Sequence, residues 1–231
     1  HGTENNLIGV PQTLLRLGAA HRYAILELGT SQPGEIARLA VLGAPEVAVV
    51  TNVGPAHLEG LGSLEGVAVE KGALYRALGT DGTIVYNTDD PHVTAQAMAC
   101  GGPRRIGYGS KGEVRCVRRE GPAMVVSAGG QNLEIALALV GAHVTECVLA
   151  AVAGALALGV PLEAIARGLP SVVPGRGRMR PVTLPNGVLL LDDAYNANPR
   201  SLEYALRTAA DQARDRGGRA IAVVGDMREL G

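Results

Sequence analysis

The sequence predicts an α/β fold: a mostly parallel sheet with flanking helices, plus a small antiparallel sheet, followed by part of a second α/β domain. Three observations carry this. Between Tyr23 and Asn87, short β-branched runs alternate with stretches of helical spacing, as in a parallel sheet with crossover helices. From Arg104 to Leu139 the alternation gives way to short β-rich pieces separated by Gly-rich turns, which predicts hairpins. After a stretch rich in Pro, Gly and Arg at Pro170 to Pro181, strand and helix signals return. Residues 1–172 are therefore expected to form one domain and 173–231 part of another.

Each element has its own signal. Val10 to Leu17 reads as a short helix with Pro11 in its first turn and Gly18 as its stop. Tyr23 to Gly29 reads as a strand, and Ser31 and Pro33 open a helix that runs through Leu42. Val47 to Val53 is a β-branched run suited to burial on both faces, and Gly54 and Pro55 end it. Ser63 caps a helix whose apolar positions Leu64, Val67, Ala68, Leu74, Tyr75 and Leu78 keep helical spacing. Thr83 to Asn87 is the next strand. Helices are expected at about Val144 to Leu158 and at Leu162 to Gly168. In the second domain, Val188 to Asp192 is a strand, and Asn198 with Pro199 starts a helix striped by Leu202, Ala205, Leu206, Ala209, Ala210 and Ala213. Ala220 to Val224 is a further strand. This strand–helix–strand order makes the second domain Rossmann-like and partial.

Composition narrows the function classes. Of 231 residues, 47% are hydrophobic and 19% charged, which fits a globular chain with a sizeable core. There is no Phe or Trp, so platforms for stacking single-stranded bases are not expected. A formal net charge of −1 argues against a broad nucleic-acid surface. Cys100, Cys116 and Cys147 are far apart, suggesting neither a disulfide framework nor a zinc site. The apolar run from Cys147 to Val160 is shorter than the roughly 20 residues a membrane span needs. A cytoplasmic protein without membrane insertion is expected, and a monomer.

One stretch invites chemistry. Lys71 falls in the middle of the apolar stripe of its helix, seven residues from both Leu64 and Leu78. It can snorkel to water. Alternatively, burial favours the neutral amine, which can add carbon dioxide and become a carbamate, an anionic oxygen ligand for a hard cation. Glu27 near the end of one expected strand and His57 in the loop after the next would share a sheet edge with it, where open α/β folds bind ligands. Each also has an ordinary reading: Glu27 as a strand-end carboxylate bound to backbone, and His57 as a loop histidine with a local hydrogen bond. Likewise Arg176, Arg178 and Arg180 can form a solvated face, and Asn198 can be a helix cap alone.

A set of short motifs adds to this. They are Gly2-Thr-Glu-Asn-Asn6 with Ile8-Gly-Val-Pro11, Glu27-Leu-Gly29 with Pro33-Gly-Glu-Ile36, and Thr51-Asn-Val53 with Ala56-His-Leu-Glu-Gly-Leu-Gly-Ser63. Glu70-Lys-Gly72, Gly177-Arg-Met179, Asp192-Asp-Ala-Tyr-Asn-Ala-Asn-Pro199 and Val224-Gly-Asp-Met-Arg-Glu-Leu-Gly231 follow. In order and spacing the chain resembles the Mur ligases, ATP-dependent amide-forming enzymes of peptidoglycan synthesis. Within that family it is most similar to members that join D-alanyl-D-alanine to UDP-N-acetylmuramoyl-tripeptide.

The resemblance implies that ATP phosphorylates the peptide's terminal carboxylate and that the incoming amine attacks the acyl phosphate. It implies Glu27, His57 and Lys71 as ligands for Mg2+, with Lys71 carbamylated and with Lys71 and His57 serving catalysis. Arg178, Asp193, Tyr195, Asn196, Asn198 and His143 would face ATP, and Asn5, Asn6 and Thr30 the UDP-sugar substrate. Three departures accompany it. There is no G-x-x-x-x-G-K-[ST] loop. The resemblance also implies an internal fragment, inactive alone. Finally, where the family has His-Asn-x-x-Asn at the start of the long central helix, this chain has His143-Val-Thr-Glu-Cys147, without either amide. A non-catalytic relative that binds a UDP-sugar or a partner, and a ligase of the folylpolyglutamate or cyanophycin synthetase type, are the alternative readings.

Overall fold

A computed structural model describes residues 4–227. Gly2 and Thr3 of the first motif and Arg228 to Gly231 of the last lie outside the described residues. The chain divides into two compact units, the first running to Gly107 and the second beginning at Tyr108.

The first unit starts with α1 (Gly9–Leu14) and α2 (Glu35–Gly43), and its sheet follows. β1 (Val47–Val50) and β2 (Thr83–Asn87) pair in parallel, Val47 opposite Thr83 through Val50 opposite Tyr86. The crossover between them carries a one-turn α3 (Leu58–Leu61) and α4 (Leu64–Arg76). Ser63 caps α4 as expected, its Oγ accepting from Gly66 N–H at 3.1 Å. Val67, Ala68 and Tyr75 face a core shared with Ala48, Val50 and Ile84, and the Tyr75 hydroxyl donates to the Val85 carbonyl at 3.0 Å. α5 (Pro91–Ala99) was not foreseen in the sequence; Asp90 caps it and Pro91 takes its first turn. β3 (Arg104–Tyr108) joins this sheet beside β2, in the order β1-β2-β3, rather than the hairpins that follow it.

Tyr23 to Gly29 is not a strand. It runs without ladder bonds, and Tyr23 and Ile25 are 52% and 90% exposed. Its alternating pattern suits a sheet, but a strand exists only as one member of a hydrogen-bonded pair, and no described strand runs alongside it.

In the second unit β4 (Arg115–Glu120), β5 (Ala123–Ala128) and β6 (Gln131–Ala136) form the expected antiparallel meander, with a register shift between Cys116 and Arg118. Met124, Val126, Ala128, Leu133 and Ile135 form its buried face, against which α6 (Val144–Ala157) and α7 (Leu162–Gly168) pack. β7 (Arg180–Thr183) and β8 (Leu189–Asp192) make an antiparallel hairpin, so the stretch expected as a linker ends in a strand. α8 (Pro199–Asp215) starts where expected, behind a capping box between Asn198 and Ser201. Its apolar stripe is only partly covered: Thr208 is buried, whereas Leu206 is 43% exposed. Ala220 to Val224 is not a strand either, with Val223 97% exposed, for the reason that applies to Tyr23–Gly29.

Candidate active site

In the first unit, the segments that follow Glu27 and His57 are tied to each other and to α4, which carries Lys71. Glu70, next to Lys71 on α4, ties down the segment after Glu27. Its carboxylate is 7% exposed and accepts from Gly34 N–H at 2.7 Å, Ile36 N–H at 2.8 Å and the Thr30 hydroxyl at 3.3 Å. It thus satisfies orphan donors at the start of α2, where a negative charge also complements the helix dipole. Glu35 adds a second grip, accepting from Ser31 and Gln32 N–H at 2.7 and 2.8 Å. Those backbone bonds hold its carboxyl below the usual carboxylate range. The segment after His57 closes on the same loop. A β-carbon at Gly60 would lie 1.9 Å from the Ser31 carbonyl oxygen, so this approach needs glycine.

Within this frame, Lys71 Nζ donates to the Asn52 carbonyl at 2.8 Å. His57 sits in the left-handed region (φ 58°), just ahead of α3, with its Nδ1 buried from solvent. Glu27 is exposed, and its Oε1 accepts from Asn5 Nδ2 at 3.0 Å. Asn5 thus touches an expected metal ligand. Asn6 instead bonds Ile8 and Gly9 N–H through Oδ1 at the start of α1, and the Thr30 hydroxyl donates to the Gln32 carbonyl at 3.0 Å. Glu70 carries no signal of this role in the sequence beyond a carboxylate at helical spacing from Val67 and Leu74, because its partners lie 34 and 36 residues away.

The expected nucleotide-facing residues lie in the second unit, where Arg178, Asp193 and Tyr195 are tied to one turn and Asn196 and Asn198 bond locally. The Arg178 guanidinium stacks 3.9 Å over the Tyr195 ring, and Asp193 Oδ1 accepts from Met179 N–H at 2.9 Å. Gly177, at φ 71°, accepts from Tyr195 N–H at 3.1 Å, and a β-carbon on it would come within 2.9 Å of that nitrogen. Asn196 Oδ1 accepts from Ala197 N–H, and Asn198 caps α8. His143 begins α6 with its Nδ1 buried and without a hydrogen-bond partner, its ring 5.8 Å from that of Tyr204. Burial pushes the imidazole pKa below its ordinary value; nearby Asp193 opposes this and Arg119 adds to it. Of the residues standing where amides were expected, Val144 is buried and Cys147 exposed.

Comparison with known proteins bears on both sets of residues. Residues 1–155 match the Mur ligase middle domain, and residues 177–231 match the Mur ligase glutamate ligase domain. The chain belongs to the Mur ligase family. It is 37% identical to the UDP-N-acetylmuramoyl-tripeptide–D-alanyl-D-alanine ligase of Escherichia coli, over all of this chain and 52% of the relative. The enzyme of the same name from Bacillus subtilis is 31% identical, over all of this chain and 50% of its own length. A crystal structure of MurF from Acinetobacter baumannii superposes with a TM-score of 0.91 at 32% identity, covering all of this chain and 51% of that one. MurF of Thermotoga maritima, solved in complex with ADP, shares the fold at TM-score 0.83 and 24% identity, over all of this chain and 53% of its own. The chain spans about half the length of the relatives it matches.

For this Mur ligase chain, the donor chemistry sets a condition on any cation. Among the described residues, no three His, Cys, Asp or Glu side chains come together in a way that could hold a metal ion. Glu27 and His57 alone do not make such a site, and a lysine ammonium has no lone pair to offer. The set fits a hard cation only if Lys71 supplies a carbamate oxygen.

Proposed function

We propose that the chain is the central part of an ATP-dependent ligase that joins D-alanyl-D-alanine to UDP-N-acetylmuramoyl-tripeptide through an acyl phosphate. The observation that supports this reading is that Glu70 ties the segment after Glu27 to α4, that Gly60 packs on Ser31 of that segment, and that Lys71 is fixed on the Asn52 carbonyl just past β1. Glu27, His57 and a carbamate on Lys71 would hold Mg2+, which when bound neutralises charge on phosphate oxygens. Lys71 keeps its nitrogen fixed on the Asn52 carbonyl, and Asn5 fixes the Glu27 carboxylate. Arg178, stacked on Tyr195, would meet the ATP phosphates, with Asp193 fixing the turn that carries it. Asn196, Asn198 and His143 would line the nucleotide side, and Asn5, Asn6 and Thr30 the UDP-sugar side.

In the same reading, residues 1–172 belong to the central domain and 173–231 to the C-terminal one, and the protein is a cytoplasmic monomer. No described helix is long and apolar enough to cross a membrane. The 231-residue chain by itself neither hydrolyses ATP nor forms the amide.

The test is ATP-dependent phosphate release by the full-length protein, with UDP-N-acetylmuramoyl-tripeptide, D-alanyl-D-alanine and magnesium each omitted in turn. Release that needs every component is the expected result. Lys71→Ala should lower turnover at least about a hundredfold, the scale of losing a principal electrostatic group, with no recovery on adding bicarbonate. Near-normal turnover in that variant sinks the carbamate assignment. A folded protein that binds the UDP-tripeptide but releases no phosphate is instead a binding relative, the reading that Val144 and Cys147 favour.

A further inference from the structure

Just past β1, the backbone from Thr51 to Val53 is gripped on both sides by residues at the end of β2. Asn87 Nδ2 donates to the Thr51 carbonyl at 3.0 Å, and Asp90 Oδ2 accepts from Val53 N–H at 2.8 Å. Between them lies Asn52, whose carbonyl accepts from Lys71 Nζ at 2.8 Å. Both grips are anchored a second time. Asp90 is 7% exposed and caps α5 with its other oxygen, taking Val93 N–H at 3.0 Å. Asn87 is 3% exposed, and its Oδ1 accepts from Asp89 N–H at 2.9 Å. Neither side chain can turn without giving up a second buried bond. The β1–β2 register ends at Val50 and Tyr86, so these side chains carry the pairing onward where the backbones part.

We propose that Asn87 and Asp90 are positioning residues for Lys71: by clamping the Asn52 peptide they aim its carbonyl at Nζ and set the direction in which a carbamate on that nitrogen extends. The inference rests on the carbamate reading of Lys71. In forming the carbamate, the neutral amine attacks the carbon of carbon dioxide. The N–C bond forms as one C=O electron pair moves onto oxygen, and a proton passes from nitrogen to solvent. An ammonium has three hydrogens and can meet the carbonyl in several orientations. The planar carbamate nitrogen keeps one. Once that hydrogen is committed to the Asn52 oxygen, rotation about the Cε–Nζ bond is fixed, and with it the direction of both carbamate oxygens.

The test uses the full-length protein as wild type, Asp90→Asn and Asn87→Asp. Asp90→Asn keeps an oxygen to cap α5 but sets an amide NH2 in place of the second acceptor. Asn87→Asp keeps the acceptor for Asp89 and removes the donor to Thr51. Each protein is equilibrated with 13C-bicarbonate; the lysine carbamate carbon is read by NMR and the fold by circular dichroism. Carbamate occupancy at limiting bicarbonate should fall about fivefold in each folded variant, the scale of one hydrogen bond. Excess bicarbonate should restore it, which it would not do for a site that had merely collapsed. If one variant fails to fold, the other decides. Wild-type occupancy in a folded variant, or no carbamate in the wild type, overturns the proposal. A wild type that holds a carbamate which the variants lose, yet ligates nothing, sustains the clamp and removes the ligase reading.

Discussion

Around Lys71, acids and amides reach far along the chain, whereas in α8 and the turn before it they serve their own neighbours. Glu70 bonds Gly34 and Ile36, Asp90 bonds Val53, and Asn87 bonds Thr51, each joining two elements of the first unit. Asn198 bonds Ser201, and Asn196 bonds Ala197, inside one turn. The turn around Gly177 lies between these extremes, tied to Asp192 and Asp193 across the hairpin. The difference is energetic as well as geometric. A buried carboxylate serving several distant donors leaves all of them unsatisfied when it is removed, while a cap leaves one turn to fray into water. The candidate cation site therefore depends on tertiary bonds, and the stretch proposed to face nucleotide is largely self-supporting.

The sharpest break of this contrast is Glu70→Ala. It strips acceptors from Gly34 N–H, Ile36 N–H and the Thr30 hydroxyl. A loss of roughly 3 kcal/mol of local stability is expected, since charge-assisted bonds to buried donors are lost together. Hydrogen exchange at the Gly34 and Ile36 amides should speed up by about two orders of magnitude, as that energy implies. Unchanged exchange there would show that α2 does not need the carboxylate. Because Lys71 is the next residue, ATP-dependent phosphate release by the full-length protein, the activity proposed above, should fall in the same variant.

How much of this was legible in the sequence follows the same division. Most signals local to a turn match the structure: the Ser63 cap, the span Thr83 to Asn87, the helix Leu162 to Gly168 and the Asn198–Pro199 helix start; the Asp90–Pro91 start of α5 is the exception. Features set by distant partners were not. Tyr23 to Gly29 and Ala220 to Val224 carry strand patterns, yet a pattern cannot supply the neighbouring strand that a ladder needs. β3 looked like hairpin material and pairs with β2, because short apolar runs do not encode their partner. At the candidate site, residue types pointed to Glu27, His57 and Lys71. The supporting Glu70, Asn87 and Asp90 were invisible as supports, since their partners are backbone groups 34 to 37 residues away.

A smaller effect is expected on the self-supporting side. Asn198→Ala removes the α8 cap, in which Asn198 Oδ1 accepts from Ser201 N–H at 2.8 Å and Ser201 Oγ accepts from Asn198 N–H at 3.0 Å. About 1 kcal/mol of helix stability should be lost, visible as faster exchange in the first turn of α8 and unchanged exchange in α2. A loss that spread to the first unit would contradict the division drawn above. A turnover defect much larger than the stability loss would assign Asn198 a part in binding nucleotide beyond capping.

The smallest effect concerns pH and isolates His143. Burial lowers its folded pKa beneath the ordinary 6.5, with Asp193 opposing and Arg119 reinforcing the shift. Between the folded and unfolded values the unfolded chain binds more protons, so stability rises with pH across that window. The contribution is complete above about pH 6.5 and declines as the pH falls beneath it, levelling off once the folded imidazole also protonates. The ring is only half-buried, so solvent screening keeps the whole effect small. His143→Gln should flatten this slope in the exchange rates of the first turn of α6, leaving those of α2 unchanged. Asp193→Asn should steepen it, because the carboxylate that favours the imidazolium is gone. A slope that survives His143→Gln would move the titration to another group. A slope of the opposite sign in the unmutated protein would mean that the carboxylate, rather than burial, governs the imidazole at the start of α6.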